Sequence, residues 1–108
     1  MSYIPGMKID FSQTIKDLDG NEVKDEKGQT MTLGRVAASA VLSIFPDERD
    51  LDIAEKMKRN ELAEKVWKGG DIDLSIEELA MAKKMINKAF ATRIVAQSAK
   101  MLEGTTSA

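Results

Sequence analysis

Asp17, Asp19, Asn21 and Asp25 place oxygen-bearing side chains at alternate positions, as the first half of a calcium-binding loop does. Such a loop also needs a glycine at its sixth position and a bidentate glutamate at its twelfth, where this chain has Glu22 and Gly28. No helical pattern precedes it. The stretch therefore reads as a solvated hairpin rather than a metal site. The carboxylate pairs Asp47 with Asp50, Glu61 with Glu64 and Asp71 with Asp73 have the residue types for acid–base work or for holding magnesium. Nothing around them marks burial, and acids near helix starts are expected from the helix dipole alone.

The chain contains no histidine and no cysteine. That removes an imidazole base, a thiolate nucleophile, a disulfide and any zinc site built on nitrogen or sulfur. Glycine-rich phosphate loops of the Walker or dinucleotide type are absent, as is the spacing of a Ser-Lys dyad. No cofactor is implied, and the chain reads as a non-enzyme.

These residues must be carried by a small scaffold. The 108 residues, 43% of them apolar and 31% charged, suffice for one core. We expect a single globular domain over residues 7–103, with flexible tails at 1–6 and 104–108. Sixteen basic and eighteen acidic side chains leave a net charge of −2, which gives no electrostatic argument for nucleic acid or an anionic membrane. Leu33 to Phe45, the longest apolar-leaning stretch, is too short and polar to span a bilayer, and Pro5 and Gly6 stand where a signal peptide needs its apolar core. A cytoplasmic placement follows.

Met7, Ile9 and Phe11 alternate with polar residues, the period of a half-buried strand. Asp19-Gly20 and Gly28 signal turns, so residues 7–31 read as one or two small β-hairpins. The helical region spans 32–103 and reads as three to four helices in a small bundle, making the fold mainly α within the α+β class. Thr32 caps a first helix with Leu33, Val36, Ala37, Ala40, Val41 and Ile44 on one face, ended by Pro46. A second runs from about Asp50 to Lys68 and stops at Gly69-Gly70. Its apolar positions drift between Met57 and Leu62, which implies a broad or two-sided contact, or a bend. Ser75 and Glu78 form a capping box for a helix over 76–90, followed by one over 93–102 with Thr92 as its cap. No internal repeat stands out.

With reactive groups lacking, apolar surplus is the main functional signal. Met57, Met81, Met85 and Met101 fall in helices and can line an adaptable groove, Met81, Met85 and Met101 being the favoured ones, and Trp67, beside the glycine stop, is a candidate anchor. Asp47 and Asp50 would form a polar rim. This predicts stoichiometric association with another protein or with itself. The alternative is a nucleic-acid-binding regulator using Lys83, Lys84, Lys88 and Arg93, although interleaved acids offset most basic clusters. A helix-turn-helix reading of Thr32 to Ala40 fails because the helix continues through Phe45 where a tight turn is needed.

Met-Lys-Ile-Asp-Phe at 7–11, Leu-Asp-Gly at 18–20, Thr-Leu-Gly at 32–34, Glu-Lys-Met-Lys-Arg-Asn-Glu-Leu-Ala at 55–63 and Val-Ala-Gln with Met-Leu-Glu within 95–103 occur in this order. The succession resembles small proteins encoded by tailed bacteriophages and prophages. The resemblance implies a setting and no catalytic site: a bacterial host's cytoplasm or the virion, and a role as an accessory of particle assembly or as a modulator of a host protein.

Overall fold

The computed structural model describes residues 6–48 and 50–103. In chain order they form β1 (Gly6–Asp10), α1 (Leu33–Leu42), α2 (Ile53–Trp67), β2 (Asp71–Ser75), α3 (Ile76–Ala89) and α4 (Thr92–Leu102). The expected α+β class with four helices is what folds. Of the expected tails, residues 1–5 and 104–108 lie outside the described residues, whereas Gly6 belongs to β1.

The N-terminal strand forms where the alternation predicts it, and Ile9 and Phe11 point into the core. Its ladder partner is distant. β1 pairs antiparallel with β2, from Gly6 opposite Ser75 to Asp10 opposite Asp71, and the Phe11 amide extends the ladder to the Gly70 carbonyl at 2.8 Å. β2 itself escaped the sequence reading, because its alternating Asp71-Ile72-Asp73-Leu74 is too short to stand out before a capping box.

Asp19-Gly20 and Gly28 do make turns, and these turns are copies of one another. Ile15 to Glu22 and Val23 to Thr30 share an eight-residue pattern, apolar-Lys-Asp-x-x-Gly-amide-x, with Met31 opening a third register. This corrects the expectation of no repeat; eight residues twice over leave little signal in a single sequence. In each copy an aspartate, Asp17 or Asp25, receives the glycine amide on its carbonyl, and its Oδ1 accepts two further amides at 2.9 Å. Gly20 and Gly28 adopt φ of 88° and 82°, the left-handed conformation that closes a three-residue hairpin loop. The two loops and the return strand close a ring: the Ile15 amide donates to Met31, Met31 to Val23 and Val23 to Ile15, at 2.8–3.0 Å. The Gln97 side-chain amide on α4 pairs with both the amide and the carbonyl of Lys16, fastening this module to the helices.

α1 is the hub. Seven of its ten residues are buried, and it packs on α2, α3 and α4. Gly34 lies so close to α2 that a Cβ there would come within 2.2 Å of the Val66 carbonyl oxygen. Thr32 caps the helix through the Arg35 amide at 3.2 Å as expected. The helix ends at Leu42, however, before Pro46, so Ile44 lies outside it and is exposed rather than buried. Proline disfavours helix at the residue before it, and Ser43 already closes the last turn through its amide to Ala40.

The Ser75–Glu78 capping box is present with both of its bonds. Ala82 and Ile86 of α3 are buried as predicted, with Leu79 and Phe90 partly buried against the core. α3 and α4 are separate helices, but the cap position of α4 is Ala91 rather than Thr92 and no side chain caps it. Among the described residues no helix is long and apolar enough to cross a membrane.

Candidate interaction surface

α2 begins at Asp52, whose carboxylate accepts the Glu55 amide at 2.9 Å, and ends where Gly69 and Gly70 enter the left-handed region. The drift in its apolar pattern is resolved as two faces. Leu62, Ala63 and Val66 pack inward against α1 with the buried Arg59. Ile53, Met57 and Trp67 face outward and are 76%, 58% and 47% exposed. Together with Asn60 and Glu64 they follow the i, i+4, i+7, i+11, i+14 spacing of one helical stripe.

Trp67 lines a groove of ≈ 440 Å³, whose walls include Ala38 and Leu42 of α1 and Asn60 and Ala63 of α2. The Arg35 guanidinium lies 4.6 Å from the Trp67 ring centroid, a cation–π contact that fixes the indole at the α1–α2 seam. Leu42 also borders a second depression with Ile44, Leu51 and Lys56. Leu42 thus borders both depressions at the end of α1. Met57 is among the methionines the sequence offers for a groove, whereas Ile53, Leu42 and Ile44 are not singled out from sequence as binding residues. The stripe spacing on α2 was the available signal; the exposure of Leu42 and Ile44 follows only from the early end of α1.

The remaining candidates do not join Trp67. Met85 is 1% exposed and belongs to the interior, a correction to its reading as a surface anchor. It is buried together with Ala82 and Ile86, so the inward arc of α3 is wider than the Leu79–Phe90 stripe suggested. Met81 is partly buried in a depression with Lys58, Leu62 and Glu78, and Met101 lies in another beside Lys8, Ile9 and Asp71. Asp50 borders a shallow loop depression with Pro46 and Leu51.

Asp47 is tied into an ion-pair network. Lys88 contacts its carboxylate at 2.9 and 3.0 Å, reaches Glu48 at 3.5 Å and lies 4.8 Å from the Phe45 ring centroid. Glu48 receives both terminal nitrogens of Arg59, at 2.9 and 2.8 Å, while Arg59 Nε donates to Glu55 at 3.2 Å. The Arg59 hydrogen bonds hold the Glu48 carboxyl down at about 2, and Lys88 lowers that of Asp47. Charge neutralisation within the network thus anchors the loop before α2.

This use of cations bears on the alternative site. Lys88 is engaged with Asp47 and Glu48, and Arg93 donates to the Lys16 and Asp17 carbonyls at 3.1 Å. Lys83 and Lys84 are exposed on α3. The four side chains do not form one basic patch of uncommitted charges. Among the described residues no group of three or more acidic side chains is placed to hold a metal ion. Asp17 and Asp25 spend Oδ1 on loop amides instead.

No family model matches the chain, and no solved structure matches it. A DNA ligase of Methanocaldococcus jannaschii is 38% identical over 66 residues, which take in 50% of this chain and 12% of the ligase. The chain thus corresponds to about an eighth of that relative's length.

Proposed function

We propose that this protein is a non-catalytic binding module that acts by stoichiometric association with another polypeptide through the outer side of α2 and the adjoining end of α1. The observation that carries the reading is that, of the large apolar side chains exposed among the described residues, Leu42, Ile44, Ile53, Met57 and Trp67 belong to α2 or to the end of α1 and the residues just after it, while Leu18 and Ile76 stand elsewhere. Fully burying such a side chain is worth about 1.5–3 kcal/mol, and an isolated chain forgoes part of that gain at each of these positions. The role implied by the phage-protein resemblance, an accessory of particle assembly or a modulator of a host protein, is part of this proposal.

Affinity capture from bacterial lysate with the wild-type chain and with Met57→Glu tests it. A polypeptide retained in fixed ratio by the wild type and released by the substitution is the expected result. Equal retention by both overturns the assignment to this face.

The nucleic-acid reading, with Lys83, Lys84, Lys88 and Arg93, has one observation in its favour, the partial likeness to a DNA ligase. A salt titration with labelled DNA decides between them, because phosphate-driven binding falls steeply with salt and an apolar interface hardly responds.

A further inference from the structure

The outward stripe of α2 has a property beyond being apolar. Taken from Asn60 outward, it complements its own reversal. Seven residues before Asn60 stands Ile53, and seven after stands Trp67. Four before stands Lys56, and four after stands Glu64. At about 100° per residue, all four lie within about 40° of Asn60 around the helix, and all five residues are exposed. α2 packs chiefly on α1 and leaves this side uncovered.

We infer that the partner for this face is a second copy of the chain, with the two α2 helices packed antiparallel across a two-fold axis at Asn60. This rests on the protein-binding reading above and names its partner. A two-fold interface requires one patch to complement itself, and that is what the order of residues supplies. In the antiparallel arrangement Ile53 meets the partner's Trp67, and Lys56 meets the partner's Glu64. Each contact occurs twice. Asn60 meets the partner's Asn60 on the axis, where two carboxamides can each donate and accept. A polar pair on the axis, flanked by complementary charges, fixes the register of a helix seam. The parallel arrangement is disfavoured because it sets lysine against lysine and glutamate against glutamate. Arg35 already restrains the Trp67 ring, so little of its freedom remains to be lost on association.

Sedimentation equilibrium of the full chain tests this, with Lys56→Glu and Glu64→Lys as paired variants. Both positions are exposed, and circular dichroism checks that each variant keeps its helices. The wild type should pass from monomer to dimer as concentration rises. Emission of Trp67, the sole tryptophan, should shift to shorter wavelength over the same range. Each reversal turns two attractive contacts into repulsive ones and should weaken the dimer about tenfold. An equimolar mixture of the two variants should recover the wild-type affinity, because every contact in the mixed dimer again joins opposite charges. A wild type that stays monomeric up to millimolar concentration overturns the inference, as does a dimer that ignores the reversals or is not restored by mixing. If the chain is monomeric yet captures another polypeptide in a Met57-dependent way, the inference fails and the broader reading stands. If it is monomeric and captures nothing through Met57, both fail.

Discussion

Arg59 grips Glu48 through both guanidinium terminal nitrogens, at 2.9 and 2.8 Å, and the two side chains are only 9% and 11% exposed. This pair joins α2 to the loop that follows α1. Glu48 is held at about 2 in the folded protein, below the ordinary value of 4.5. A carboxyl depressed by folding adds stability that is fully present above its unfolded value and is lost as pH falls through the folded one. The Glu48 contribution should therefore fade between about pH 4.5 and about pH 2. Glu48→Gln should melt several degrees below the wild type at pH 7, and the gap should close on acidification across that window. A gap independent of pH would show that the ion pair is not its cause.

Gly34 is the point of closest approach between α1 and α2, with the Val66 carbonyl oxygen 2.2 Å from the place a Cβ would take. Gly34→Ala should destabilise the protein by about 1–3 kcal/mol in urea unfolding, because two packed helices must separate. Trimming the Val66 side chain should not rescue it, since the obstacle is backbone oxygen.

The two loops of the eight-residue repeat offer a matched pair. Gly20 and Gly28 have nearly the same positive φ, and apart from its immediate chain neighbours neither meets an atom of the described residues within 4 Å of the position an added methyl would take. Alanine at either site should cost about 1–2 kcal/mol through backbone conformation alone. The two losses should agree within a few tenths in thermal melts. A large difference would mean that the loops are not equivalent.

Ser98 is fully buried in α4, and its hydroxyl has no hydrogen-bond partner among the described residues. Removing an unpaired buried hydroxyl relieves its desolvation cost, so Ser98→Ala should raise stability by about 1 kcal/mol. Calorimetry on the two proteins checks the sign.

Local patterns determined much of this molecule. Thr32, Asp52 and the Ser75–Glu78 box each start a helix because capping depends on side-chain oxygens one turn away, and Gly69-Gly70 stops one for equally local reasons. Strand alternation from Ile9 to Phe11 and the turn glycines at 20 and 28 belong to the same class. The partnership of β1 with β2 was decided only in three dimensions, since pairing energy depends on which edges the helices bring together. Tertiary packing also settled that Met85 is core and that Lys88 and Arg93 are committed to carboxylates and loop carbonyls. Sequence could mark Trp67 as an anchor, but which apolar side chains stand beside it depends on where α1 ends and which face of α2 the hub helix covers. Capping and turn formation are short-range, whereas exposure is a property of the whole packed molecule.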